Sequence, residues 1–332
     1  MAPDKAKQQG GRPEPLTNEH GRQPKRRLHV GVGRAMAHHG ELLQGVFEGE
    51  EGRLHRGLVT LPMPDWQSLV TFWPKGEGGI GSRPTNRTKA ARAAALALAY
   101  LGYDDASGDL TVESDIPVGH GYGSSTADVI AAIRAVAAAT GATLRRSTVS
   151  RLAAEAEGAS DAIAYGDQAV LFSHREGRIL EHFGGEFPPF IVVGFQTQGS
   201  AINTLDLPRA RYDPREIGLF RTLRGLTYRA VRLQDPKLMG HVASASARIN
   251  QHHLAKSKFT AFVTLAEDYD ACGVQVAHSG SLLGVLFDAN ERGVVTRAAA
   301  LAGKIKAVGV QGVRLFSVNA DGSLAEDYRN ER

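Results

Sequence analysis

The sequence predicts an α+β protein. β-rich runs and alanine-rich helical stretches are mixed along the chain, and they do not alternate strictly as strand–helix–strand units. No internal repeat interrupts this order, and the single cysteine, Cys272, excludes a disulfide framework or a multi-cysteine zinc site.

The elements follow from local pattern. Residues 28–32 alternate, and 58–61 and 68–73 are short β-rich runs, so the first part of the chain reads as strands and turns. A glycine-rich loop spans 76–81. Residues 85–101 read as a helix, because alanine dominates and neither Gly nor Pro interrupts it. A strand at 109–114 and a loop at 117–123 lead into a second alanine-rich helix at 124–140, and 147–158 reads as a third. Strands are expected at 168–173 and 190–195, then helices at 214–234, 237–253 and 259–269. Strands at 273–278 and 282–288, a helix at 291–308 and a strand at 313–318 complete the order.

Charge separates a tail from a body. Residues 1–27 hold seven Lys or Arg and three Asp or Glu, leaving thirty-two of each sign in 28–332. The formal +4 therefore sits in a polar leader too poor in apolar residues to fold, and the neutral body gives no reason to expect nucleic acid. No apolar run reaches the roughly 18 residues of a membrane span, so no membrane partner is expected and a reducing cytoplasm fits. The expected division is a disordered basic tail at 1–27, an N-terminal domain at 28–195 and a C-terminal domain at 196–332. The exposed edges of an α+β sheet permit a homodimer without requiring one.

The segment Pro117-Val118-Gly119-His120-Gly121-Tyr122-Gly123-Ser124-Ser125-Thr126-Ala127-Asp128 carries the most chemistry. Alternating glycines let a backbone bend tightly and approach a ligand closely. Ser124 and Ser125 fall at the start of a helix, where free N–H groups and the helix dipole suit a phosphate. A serine hydroxyl there can also ligate Mg²⁺, a cation that prefers oxygen. No Gly-Lys-Ser/Thr follows, so this is not a Walker A loop, and no acidic residue sits where a dinucleotide fold needs one.

This segment resembles the phosphate loop of the GHMP kinases, and within them the bacterial L-threonine kinases of cobalamin synthesis. Gly40-Glu41-Leu42-Leu43-Gln44-Gly45 is similar to that branch's Gly-Glu-Leu-x-Gln-Gly. Ser124-Ser125-Thr126-Ala127-Asp128 matches its Ser-Ser-Thr-Ala-Asp. Val276-Ala277-His278-Ser279-Gly280-Ser281-Leu282-Leu283-Gly284 resembles its Val-x-His-Ser-Gly-Thr/Ser-x-x-Gly. The likeness runs through about residues 28–290 in the same order.

The resemblance implies a two-lobed GHMP kinase fold, with an N-terminal α+β lobe, a ferredoxin-like C-terminal lobe, and ATP between them. It implies transfer of the ATP γ-phosphoryl group to the hydroxyl of L-threonine or a related small amino acid. Pro117, Gly119, Gly121, Gly123, Ser124, Ser125 and Thr126 would wrap ATP, with Ser279 and Gly280 closing over it. Ser125 and Glu157 would hold Mg²⁺, although Glu155 competes and spacing does not separate the two. Asp161, in Glu157-Gly158-Ala159-Ser160-Asp161, would be the catalytic carboxylate. Glu41, Gln44, His278 and Ser281 would meet the substrate, and Gln198–Thr204 would form a substrate wall.

Departures cluster at the substrate end. Where the branch has Pro-Gly-Thr-Cys before Gly-Glu-Leu, this chain has Arg34-Ala35-Met36-Ala37-His38-His39. Adjacent histidines suggest a transition-metal site, but no third ligand stands beside them, so a reshaped substrate pocket is the preferred reading. An Asp-Thr-Gly-Gly stretch has become Gln196-Thr197-Gln198-Gly199, and Glu-Pro has become Glu157-Gly158. A sister kinase for homoserine, serine or another amino alcohol, and a nucleotide-binding paralogue without turnover, stand as alternatives.

Overall fold

The computed structural model describes residues 27–49, 52–197 and 211–321. The expected tail, apart from Arg27, and the expected wall at 198–204 lie outside the described residues.

A long antiparallel hairpin, β1 (Gly31–Glu48) and β2 (Leu54–Lys75), founds the N-terminal half. β3 (Ile80–Arg83) runs parallel to β4 (Ser107–Ser114), and β4 pairs with β2. Three helices follow or intervene: α1 (Thr88–Tyr100), α2 (Ser124–Thr140) and α3 (Arg146–Glu157). A second hairpin, β5 (Gln168–Ser173) with β6 (Arg178–Glu186), attaches to β2. The C-terminal half contributes β7 (Phe190–Gln196), α4 (Pro214–Leu233), α5 (Pro236–Asn250), α6 (Phe259–Asp268), β8 (Gly273–Val276), β9 (Leu282–Asp288), α7 (Val294–Ala307) and β10 (Gln311–Val318).

The sheet order is β10-β7-β9-β8-β1-β2-β4-β3. Its first four strands are antiparallel neighbours in the order fourth, first, third, second, which is the ferredoxin-like arrangement. The expected boundary at 195/196 falls at the end of β7, whose partners β9 and β10 both come from the C-terminal half.

Helix α2 explains much of the packing. It is apolar almost all round and buried almost throughout, so it lies inside the molecule. Its alanines permit unusual closeness to β1. A Cβ on Gly33 would lie 2.1 Å from the Ala131 carbonyl oxygen, and one on Gly31 would lie 2.1 Å from that of Ala135. Gly33→Ala forces strand and helix apart. A loss of about 1–3 kcal/mol is expected on denaturant unfolding, with an unchanged slope showing that only stability moved.

The alternation at 28–32 therefore has the opposite sense from the usual one. Val30 and Val32 are about half exposed while Gly31 and Gly33 face the helix. Further along β1, register shifts between Met36 and Leu43 break the alternation, and every residue from Ala37 to Gly45 is buried.

Two further differences correct the sequence reading. The 76–81 loop ends inside β3, which begins at Ile80. Strand β6 was not expected. Only Phe183 on it is buried, so its apolar pattern is weak and its partner β5 holds it in place. At α4, Asp213 and Glu216 make a reciprocal capping box with Pro214 in the first turn, fixing the helix start.

Candidate active site

The glycine loop at 117–123 carries its turns on glycines. Gly119, Gly121 and Gly123 have φ of +84°, +99° and +70°. Gly123 is the N-cap of α2 and supplies no side chain, so the helix begins with its first N–H groups free of side-chain caps. The 278–281 turn packs against this loop. A Cβ on Gly121 would lie 2.6 Å from the Ser279 carbonyl oxygen, and one on Gly280 would lie 2.5 Å from that of His120. Two segments more than 150 residues apart in sequence thus form adjoining walls of one open cleft.

Ser125 stands in the first turn of α2, and its hydroxyl donates to Glu157 Oε2 at 2.6 Å. Glu157 ends α3 and is buried, and burial pushes its carboxyl up to about 7 against the pull of the Ser125 hydrogen bond. Its Oε1 is buried with no hydrogen-bond partner, while the Lys89 ammonium lies 4.0 Å from Oε2. Glu155, two residues earlier, is exposed on the other side of the helix.

Asp161 precedes a single 3-10 turn, Ala162–Tyr165. Its Oδ2 lies 3.0 Å from His38 Nε2 and accepts from the Thr126 hydroxyl at 3.4 Å. Burial alone would push this carboxyl up. The adjacent His38 imidazole, by charge and hydrogen bond, more than reverses that and holds it well below the usual carboxylate range.

Glu41 is buried at the centre of β1. One of its oxygens accepts the His278 backbone N–H and the other meets His278 Nδ1, both at 2.7 Å. Burial disfavours an imidazolium at His278, but the Glu41 carboxylate overcomes this and raises it to about 9. His278 therefore faces the cleft as a cation near neutrality. Glu41 acts on the cleft through His278 and, by its charge, on His38.

The other expected contacts lie outside the cleft walls. Gln44 donates to the Val276 carbonyl at 3.3 Å and so ties β1 to β8. The Ser281 carbonyl takes both the N–H and the hydroxyl of Thr197. Pro117 leads into the loop, with Val118 and Gly119 as the first residues to face the cleft.

Three residues escaped the sequence reading. His174, at the end of β5, and Lys89 line the cleft, and Lys256 donates to the Gly280 carbonyl at 2.7 Å, anchoring the turn that carries His278. His38 was noticed for its neighbour rather than for Asp161. The two adjacent histidines in fact part company. His39 turns into the interior, where Gly194 leaves room for its ring, and it packs on Tyr122 and Phe316. Burial drives His39 down to about 3, so it is neutral.

The fold does bring two further groups to His38. One atom each from His38, Glu41 and Asp161 lie within 4.8 Å of one another. Both Glu41 oxygens already serve His278, and His38 already serves Asp161, so the three form an ion-paired set rather than an open cradle.

A phosphate-suited helix start facing a buried acid and a cationic wall defines a phosphotransferase cleft. Residues 88–174 match the N-terminal domain of the GHMP kinases. The chain is 32% identical to the L-threonine kinase of Salmonella typhimurium over 262 residues, 78% of this chain and 83% of that one. It is 30% identical to the L-threonine kinase of Citrobacter freundii, covering 80% and 89%. Its fold is similar to that of homoserine kinase from Cytophaga hutchinsonii, with a TM-score of 0.67 at 14% identity over 91% and 98% of the two chains. The chain belongs to the GHMP kinase family, and it is a kinase. Among the described residues no helix is long and apolar enough to cross a membrane.

Proposed function

We propose that the chain transfers the γ-phosphoryl group of ATP to the side-chain hydroxyl of L-threonine or a related small amino acid, in the cytoplasm. The observation that carries this reading is the convergence on one cleft of the uncapped α2 start, the Ser125–Glu157 pair and Asp161. Phosphoryl transfer needs a cradle for the triphosphate, a metal to offset its charge and a carboxylate to orient or deprotonate the acceptor.

The donors suit Mg²⁺. Ser125 and Glu157 offer hard oxygens, and the partnerless Glu157 Oε1 leaves a buried lone pair for a cation. When bound, Mg²⁺ would neutralise developing charge on the phosphates. Glu157 takes this role over Glu155, which is exposed on the opposite side of α3. Asp161 receives the acceptor hydroxyl. The cationic His278, held by Glu41, suits the carboxylate of an amino acid, and the names of the two similar kinases favour threonine.

The deciding experiment incubates the protein with Mg·ATP and a panel of hydroxy amino acids and amino alcohols, with products identified by mass. O-phosphothreonine is the expected main product. A different winner, such as phosphohomoserine or phosphoserine, moves the specificity to that alcohol. Ser125→Ala is expected to lower kcat/KM for Mg·ATP about tenfold, the worth of one hydroxyl contact of about 1.4 kcal/mol. Unchanged kcat/KM removes Ser125 from the site.

A further inference from the structure

We propose that His38 is a positioning residue whose protonation governs Asp161: neutral, it orients the carboxylate and leaves it able to take the acceptor's proton; charged, it withholds that ability. The inference rests on Asp161 acting as proton acceptor, as proposed above.

The geometry around the ring is specific. His38 Nε2 lies 3.0 Å from Asp161 Oδ2, and the His38 backbone N–H donates to the Tyr122 carbonyl at 3.1 Å. A Cβ on Gly123 would lie 2.2 Å from His38 Cδ2, so the last glycine of the loop is shaped around the imidazole. One ring thus joins β1, the phosphate-loop turn and Asp161. Both hydrogen bonds from side chains to Asp161, among the described residues, fall on Oδ2, which leaves Oδ1 for an acceptor hydroxyl.

The charged surroundings are few. Asp161, Glu41 on the same strand and His278 on the opposite turn face His38. His278 and His174 also face Asp161, and Glu157 lies near enough to sense its charge. Glu41 is matched by His278, and burial drives His174 down to about 3, so it carries no charge. Burial disfavours charge on His38 too, but the Asp161 carboxylate reverses this and raises the imidazole above its ordinary value. The proton on His38 is therefore held to higher pH than on an ordinary imidazole.

The chemical step balances as follows. The acceptor oxygen bonds to the γ-phosphorus, the bond from that phosphorus to the β–γ bridging oxygen breaks, and ADP leaves with the electron pair. The acceptor's proton passes to Asp161 and later to solvent. A neutral His38 donates one N–H to the carboxylate throughout. An imidazolium adds a full positive charge 3.0 Å from it and weakens it as a base.

The test compares kcat against pH at saturating substrates for the full chain, His38→Gln and Asp161→Asn. The unsubstituted protein should gain activity as pH rises through a midpoint above about 6.5. His38→Gln keeps an N–H donor but cannot titrate. Its plateau should fall no more than about tenfold, and its acid limb should move down by at least about one pH unit. Glu157, His278 and Lys256 titrate in both proteins, so the difference belongs to His38. Superimposable profiles, or activity that falls as His38 loses its proton, overturn the inference.

Asp161→Asn separates the two readings. Full activity in it removes Asp161 as proton acceptor. Loss of activity, with His38→Gln keeping the original profile, overturns only the role of His38. Should His38→Gln fail to fold, NMR titration of the histidines in the full chain and in Asp161→Asn decides. The His38 midpoint should drop in the variant, and an unmoved midpoint overturns the coupling.

Discussion

Asp161→Asn is expected to lower kcat about 10²–10⁴-fold, the usual worth of a positioned proton acceptor. This corresponds to about 2.7–5.5 kcal/mol of lost transition-state stabilisation. Asparagine matches the carboxylate in size and can still accept from the Thr126 hydroxyl, so the turn at 162–165 and the glycine loop should keep their shape. The substitution removes one negative charge and one basic oxygen from the point where the acceptor would attack, and it leaves the phosphate-facing start of α2 in place. ATP affinity, read by calorimetric titration without acceptor, should therefore stay nearly constant while turnover collapses. Parallel loss of both would mean that Asp161 supports the nucleotide site instead of the chemistry.

The second large effect belongs to Gly123→Ala. The φ of +70° disfavours any Cβ by about 1–2 kcal/mol, and this Cβ would also sit 2.2 Å from the His38 ring. Either the ring leaves Asp161 or the start of α2 moves away from the phosphates. Displacements near 1 Å can cost about 10²-fold, so kcat/KM should fall at least that far. Gly141→Ala at the other end of α2 is the matching control. It has a φ of +71° and nothing within 4 Å of the added carbon. It should lose about 1 kcal/mol of stability and keep full activity. Equal activity losses in both would trace the effect to helix strain.

The helices were legible because their signals are local. Alanine content marked α1 and α2. The strands were legible where apolar residues run continuously, as in β7 and β9. On β1 the buried face is glycine and the valines point outward, because α2 lies too close to admit side chains. On β6 neighbouring backbone supplies what its own side chains do not. The glycine loop could be read because its chemistry is contiguous. The choice between Glu155 and Glu157 could not, since it depends on the phase in which α3 ends against Ser125. The pairing of His38 with Asp161 spans 123 residues and leaves no local trace. Gln44 and Glu41 share one motif, yet the irregular register of β1 turns them to different tasks.

Strands β1 and β8 meet at a single rung, Glu41 opposite Val276, and the Glu41 side chain also clasps His278 just beyond it. The residue that forms this rung thus also sets the charge of the cleft. Mechanically, this makes the cleft a strain gauge for the sheet. A ligand that bridged the glycine loop and His278 would load this seam, and by reciprocity a stress that opened the seam would weaken the ligand's hold by the same free energy.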